Sequence, residues 1–249
     1  MDDALVIIPV YNEAASVQRV LARARECFAG PILAVDDGST DGTGRLLSQV
    51  PDIVVLRHTT NRGYGASLRD GFAYAQSQGY RYVITLDADE QHEPCRIGDF
   101  LSVLAQGEVD IVSGSRYLTP PPPGSAVPPE RLRLNRLITS LLNELTGWQL
   151  TDAFCGFKGY RVESLRRLTL TEPGYALPLQ LWIQAWKAGL RITEVPVDLI
   201  YKPNFERRFG GGLDDPAARL RYYLQVIGRE LQDEPMAAAQ QAHEREVSA

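Results

Sequence analysis

The sequence predicts an α/β fold on a mostly parallel sheet, and three observations carry that prediction. Short β-rich apolar runs alternate with segments of helical periodicity through the first half of the chain. The chain has 249 residues and is 44% hydrophobic, enough for one sizeable core. The first, second and fourth apolar runs end in acidic and turn residues, at the edge where open α/β sheets bind ligands.

The elements follow in order. "ALVIIPV" (4–10) reads as a buried strand, and "SVQRVLARARECF" (16–28) puts Val17, Val20, Leu21, Ala24 and Phe28 on one helical face. "PILAVDD" (31–37) is a second strand and "IVVLRH" (53–58) a third. "GASLRDGFAYAQ" (65–76) is a helix, and "RYVITLD" (81–87) a fourth strand. "RIGDFLSVLAQG" (96–107) repeats the helical spacing, and "DIVSGSR" (110–116) is a fifth strand. The proline-rich "TPPPPGSAVPPE" (119–130) can join neither a helix nor a central strand, so it is a stiff linker or a flap over a site. Beyond it, Leu134, Leu137, Ile138, Leu141 and Leu145 mark one helix face. "DAFCGFKGYR" (152–161) reads as a short strand and "PLQLWIQAWKAG" (178–189) as a helix, whose Trp182 and Trp186 suit core packing better than a sugar platform. "RITEVPVDLIY" (191–201) is a strand that Pro196 assigns to an edge or a bulge. "DDPAARLRYYLQVIGREL" (214–231) is a helix opened by an Asp cap and a first-turn proline, with Leu220, Tyr223, Leu224, Ile227 and Leu231 aligned. The polar tail, 232–249, is expected to fray.

Composition narrows the function. The formal net charge is −5 and the sequence pI about 5.3, which argues against a general nucleic-acid binder. Cys27, Cys95 and Cys155 form no C-x-x-C pair and no even disulfide framework, which fits a reducing cytoplasm. The N-terminus lacks a basic region before its short apolar run, and no stretch approaches the length of a membrane span.

Three strand ends carry the chemistry. Strand side chains alternate faces, so Asp87 and Asp89 of "LDADEQ" would lie side by side if the strand continues through them. At about 6 Å and an effective dielectric of about 20, two carboxylates repel by about 3 kcal/mol, and a dication reverses that sign. Hard cations such as Mg²⁺ and Mn²⁺ prefer oxygen ligands, and Gln91 offers a third oxygen. The alternative is a solvated acidic turn. Asp36 and Asp37 in "VDDGSTDGT" can accept hydrogen bonds from a ribose or a base, or simply build a turn. In "NRGYGASLRDG", Gly63 and Gly65 could expose backbone N–H groups to phosphate, although close packing of the helix on the sheet explains them equally well.

Taken together, "VIIPVYNE", "VDDGSTDGT", "NRGYGASLRDGF", "LDADEQHEP", "DIVSGSRY", "TDAFCGFKGYR" and "RITEVPV" resemble family 2 glycosyltransferases, and within them the polyprenyl-phosphate sugar synthases, over residues 5 to about 200. The resemblance implies a GT-A-type three-layer α/β/α sandwich with a C-terminal amphipathic helix. It implies one domain over 1–231, with a nucleotide-sugar half (1–118) and an acceptor-side half (131–213). Pro9, Tyr11, Glu13, Val35, Asp36, Asp37, Asp87, Ala88 and Asp89 match nucleotide-sugar contacts. Asp87, Asp89 and Gln91 match the ligands of Mg²⁺ or Mn²⁺, with Asp87 opening the family's D-x-D motif. Arg116, Arg136 and Arg208 match positions near the acceptor phosphate. Asn135 stands where the family has the other member of a basic pair with Arg136.

The implied reaction is inverting, metal-assisted transfer of a sugar from a GDP- or UDP-sugar to an acceptor, foremost a polyprenyl phosphate. A lipid phosphate is already anionic and needs arginines rather than a base. A hydroxyl acceptor would need a base, for which Asp152 is the candidate, with a structural turn carboxylate as the alternative. A pocket that binds nucleotide sugars without catalysis is the third reading. "RRFGGGLDDP" (207–216) departs from the family's "R-x-x-G-x-S-K-L" pattern by lacking its Ser-Lys pair, and Gly210–Gly212 suit a closing loop or a hinge. Arg219, Arg221 and Arg229 beside the last helix's apolar stripe suit docking on the catalytic core or, less well, a membrane surface. The expected location is cytoplasmic, with contact to the inner face of a membrane as the open alternative.

Overall fold

The computed structural model describes residues 3–119, 127–200 and 212–233. Its centre is a seven-stranded sheet. The strands are β1 (Ala4–Val10), β2 (Ile32–Asp36), β3 (Val54–Arg57), β4 (Tyr82–Thr85), β5 (Ile111–Ser115), β6 (Lys158–Arg161) and β7 (Ile192–Pro196), in the order β3-β2-β1-β4-β6-β5-β7. Every pairing is parallel except those of β6, which runs antiparallel between β4 and β5. Strands from both ends of the chain therefore share one sheet. β7 is an edge strand, as Pro196 required.

The residues of β1, β2, β4 and β5 are buried on both faces because helices cover both, whereas the edge strand β3 is largely exposed and β7 only partly buried. Leu5 and Ile7 of β1 join one core cluster with α3 (Tyr64–Ser77), α5 (Pro129–Thr146), α6 (Val162–Leu165), α7 (Leu177–Lys187) and α8 (Pro216–Gln232). Ala4, Val6, Ile8 and Val10 face the other cluster, with α1 (Val17–Cys27), α2 (Thr43–Leu47) and α4 (Ile97–Ala105). The period-2 alternation of a strand thus divides the apolar residues between two layers.

Four expectations need correction. β4 ends at Thr85, not Asp87, so the two aspartates lie beyond the sheet and strand alternation does not orient them. The segment expected as a strand from Asp152 forms a loop until Lys158. Leu137 is 53% exposed, because α5 buries Asn135, Ile138, Thr139 and Leu142 instead. α8 buries Arg219, Tyr223, Val226, Ile227 and Glu230, so Leu224 and Leu231 of the expected stripe are exposed. Trp182 is fully buried, as core packing requires, whereas Trp186 is 37% exposed.

α8 docks on the core through polar side chains. Gln180 and Gln184 of α7 donate to Glu230 at 2.7 and 2.8 Å. Arg229 reaches the buried Glu172 at 3.3 Å, and Tyr222 donates to the same carboxylate. No helix among the described residues is long and apolar enough to cross a membrane. A cysteine pairing also appears that the spacing did not suggest. Cys27 at the end of α1 and Cys95 are joined as a disulfide across 68 residues, because α1 packs on the turn at Pro94–Arg96.

Candidate active site

The chain order reverses direction in the sheet between β1 and β4, which creates a crevice beyond their carboxyl ends. Two loops build one wall. Asn12 N donates to Ser39 Oγ (3.0 Å), Glu13 N to Thr43 Oγ1 (2.9 Å) and Ala14 N to Asp41 (3.0 Å). Thr40 N returns a bond to Asn12 Oδ1 at 2.9 Å. These bonds join the segment after β1 to the segment after β2. Of the expected donor contacts here, Tyr11 is 46% exposed, while Pro9 and Val35 are buried strand residues. Glu13 accepts from Ser16 Oγ at 2.6 Å.

Asp36 and Asp37 are buried and committed to the protein. Asp36 accepts from Ser39 N at 2.9 Å and faces Arg57 at 3.2 Å. Asp37 accepts from Arg62 N and Gly63 N, both at 2.8 Å, and its Oδ1 lies 2.6 Å from His58 Nδ1. His58 Nε2 in turn meets Asp70 at 2.9 Å. The amides of residues 62 and 63, which could have met phosphate, are therefore occupied by Asp37. Gly63 and Gly65 have a different purpose from both readings above. A Cβ on either would lie 2.3 Å from a backbone oxygen of Pro173 or Glu172, so they admit that segment against α3.

After β4 the chain turns sharply. His92 Nδ1 accepts from Asp87 N at 3.0 Å, and Asp89 Oδ1 accepts from Gln91 N at 3.0 Å. Asp87 is pressed against Gly156, where a Cβ would fall 2.6 Å from its Oδ2. Ala88 and Asp89 are buried, 3% and 6% exposed, and neither is among the residues lining the adjacent cleft.

Asp87 and Gln91 line a cleft of about 130 Å³ together with Arg116, Arg131, Asn135 and Arg219. Its other walls include Tyr64, Tyr117, Leu134, Phe154, Tyr175, Leu199 and Tyr223. Tyr64 and Tyr175 stack with ring centroids 5.8 Å apart. The cleft's lining therefore combines hard oxygen donors, guanidinium groups and aromatic and apolar side chains. The donors suit a hard dication by chemistry, and the glycine behind Asp87 leaves that carboxylate room that a larger residue would take.

Arg116 is held by Asp152. Its Nε and Nη2 contact the two carboxylate oxygens at 2.6 and 2.9 Å. Asp152 is fully buried and also accepts from Asn135 Nδ2 at 2.9 Å and Phe154 N at 3.2 Å. Burial pushes its carboxyl pKa up, but Arg116 beside it and the Asn135 bond hold it below the usual range. Of the two readings of Asp152, base or structural carboxylate, this geometry favours the second, since Arg116 and Asn135 engage its oxygens and it is not among the residues lining the cleft.

Arg136 is exposed on α5 and does not line the cleft, although its charge acts on the cleft residue Tyr117, and Arg208 lies outside the described residues. Neighbours on a helix differ by about 100°, so Asn135 rather than Arg136 faces the cleft. Arg131 is one turn before Asn135 and shares its face, a signal that helical spacing could have given. Arg219 was expected beside an apolar stripe; it is buried, and its guanidinium donates to Leu213 O at 2.9 Å. Tyr64, Tyr175 and Phe154 also went unanticipated, because loops distant in sequence bring them together.

The family model for glycosyl transferase family 2 matches residues 5–169. A polyprenol monophosphomannose synthase from Mycolicibacterium smegmatis is 34% identical over 205 residues, covering 78% of this chain and 76% of the relative. An undecaprenyl-phosphate mannosyltransferase from Micrococcus luteus is 31% identical over 219 residues, covering 84% and 88%. Among solved structures, glucosyl-3-phosphoglycerate synthase from Mycobacterium tuberculosis, in complex with Mn²⁺, UDP and phosphoglyceric acid, superposes with a TM-score of 0.72. It covers 93% of this chain and 79% of its own at 20% identity, a likeness of GT-A fold.

Proposed function

The chain belongs to glycosyl transferase family 2, and from that premise we propose that it transfers a sugar from a nucleoside-diphosphate sugar to a polyprenyl phosphate, with a divalent cation and inversion at the sugar carbon. The observation that carries this reading is the joint lining of one cleft by Asp87 and Gln91, by Arg116, Arg131 and Arg219, and by aromatic and apolar side chains. The polyprenyl-phosphate enzymes among its relatives support the acceptor class.

In this proposal Asp87, Asp89 and Gln91 hold Mg²⁺ or Mn²⁺. The bound cation supplies Lewis-acid stabilisation of the departing diphosphate. Tyr11, Glu13 and the wall after β2 receive the nucleotide, and Asp36 and Asp37 shape that wall from behind. Arg116, held in one orientation by Asp152, faces the acceptor phosphate with Arg131. Two arginines can pair with phosphate oxygens and orient one of them for attack. The acceptor is already ionised, so no base is required, in keeping with the burial of Asp152. Domain limits of 1–231, divided into donor and acceptor halves, belong to the same proposal, as does contact with a membrane surface carrying the lipid.

The test is calorimetric titration of UDP and GDP with and without Mn²⁺, on wild type and Asp89→Ala. Metal-dependent binding of one nucleotide, lost in the variant, is the expected result. A labelled sugar should then partition into the organic phase with a polyprenyl phosphate. If neither nucleotide binds, or Asp89→Ala binds as wild type does, the reading fails.

A further inference from the structure

One face of α1 grips the segment that carries the proposed metal ligands. Arg19, Arg23 and Cys27 recur every four residues along α1, so their side chains line up on one face. Each meets a different residue of the segment after β4. Arg19 forms a two-pronged pair with Glu90, both bonds 2.8 Å. Arg23 Nε lies 3.4 Å from Glu93. Cys27 is bonded to Cys95. Glu90 and Glu93 lie on either side of Gln91, so the grip holds the C-terminal part of the metal loop, just beyond Asp87 and Asp89.

The loop needs holding. Glu90 has a φ of 61°, a left-handed conformation that disfavours a side chain. The two ion pairs cannot supply much, since the Arg19 and Arg23 side chains are 64% and 51% exposed. The covalent link is the strongest of the three contacts. Cys95 is exposed and Cys27 half-buried, so small molecules reach them, whereas Cys155 is buried.

We propose that Cys27 and Cys95 form a thiol–disulfide control on the metal loop, acting as positioning residues through the loop rather than on the substrate. The inference rests on the reading that Asp87, Asp89 and Gln91 hold the cation. In the oxidising direction, one cysteine thiolate attacks a low-molecular-weight disulfide and releases one small thiol. The second cysteine then attacks the protein-side sulfur of the mixed disulfide, the Cys27–Cys95 bond forms, and the second small thiol leaves. Two electrons and two protons pass from the protein dithiol to the small disulfide. A dithiol reductant reverses both steps. The disulfide form holds residues 87–95 ready for the cation. The dithiol form keeps only the exposed ion pairs, so metal binding must also order the loop.

The experiment compares the full chain equilibrated in oxidised glutathione and in dithiothreitol. Hydrogen exchange at amides 87–95 is followed without metal, and Mn²⁺ is titrated by electron paramagnetic resonance with UDP or GDP present. On reduction, exchange in that segment should accelerate and the Mn²⁺ Kd weaken about tenfold. Cys27→Ser should behave as the reduced protein under both conditions, and Cys155→Ser should keep the response. Absence of a Cys27–Cys95 peptide after oxidation, or equal exchange and Kd in both forms, overturns the proposal. If exchange responds but neither form binds Mn²⁺, the loop control is upheld and the metal assignment fails.

Discussion

Asp152 shows how burial changes the meaning of a residue. A carboxylate in a loop near an arginine can be a base or a brace. Full burial and five hydrogen bonds, donated by Arg116, Asn135 and Phe154, make it a brace. Asp152→Asn should therefore lower stability by about 3 kcal/mol in denaturant unfolding, because it leaves Arg116 without its charge partner. It should disturb acceptor affinity without removing a limb of the pH–rate profile. Gly156→Ala should weaken metal binding while leaving the fold intact, since the added methyl meets Asp87; Mn²⁺ titration of the variant checks this. Cys155 offers a simpler test. Burial pushes its thiol pKa up to about 11, so iodoacetamide at about pH 8 should label Cys27 and Cys95 in the reduced folded protein and spare Cys155, as mass spectrometry of digested peptides would show.

Helices decide which of their residues are presented, and here register matters more than composition. On α5, a shift of one residue separates Asn135 in the cleft from Arg136 in solvent. A second cation at 135 would crowd Arg116, whereas the neutral amide bonds to Asp152 and accepts from Thr139 Oγ1 at 3.0 Å. On α8, Arg219 and Glu230 are buried with Tyr223 and Ile227, so the docked face is partly polar and each polar group needs a partner. Its start is set by Asp215, which accepts from Ala217 N and Ala218 N at 3.3 and 2.9 Å. Asp215→Ala should cost about 1 kcal/mol. Because Arg219 on this helix lines the cleft, the loss of stability in thermal unfolding should come with weaker acceptor binding.

The whole molecule should lose stability in acid through a small set of carboxylates. Asp41, Asp110 and Asp152 are each pushed up by burial, but hydrogen bonds, and for the latter two an arginine as well, hold them below the ordinary carboxylate range. Their stabilisation is fully present above an unfolded value of about 4 and is lost as pH falls through the lower folded values. Glu194 opposes this, since burial raises its pKa and the folded state favours its neutral form. The melting temperature should hold above about pH 5 and drop below about pH 4. Much of the architecture was legible from periodicity. β1 to β5, their alternating helices and the edge position of β7 follow from runs such as "ALVIIPV" and from Pro196. The antiparallel insertion of β6 was not, because four residues of strand carry no sign of direction or neighbour. Among the residues lining the cleft, Asp87, Gln91 and Arg116 were legible since they follow strand ends within a few residues, whereas Tyr64, Tyr175 and Arg219 come from segments far apart in the chain.

By itself the sequence determined the alternation of elements, the edge of the sheet that carries chemistry, and the family. These depend on local pattern and short motifs, which survive without knowledge of the packing. Only the tertiary structure decided which carboxylates are presented and which are consumed. Asp36, Asp37 and Asp152 look as available in the sequence as Asp87, yet all three are buried and engaged by groups from other segments, Asp36 by Arg57, Asp37 by the amides at 62 and 63, and Asp152 by Arg116. The pairing of Cys27 with Cys95 is of the same kind. Burial and long-range contact set the role of a polar side chain, and neither is written in its neighbours along the chain.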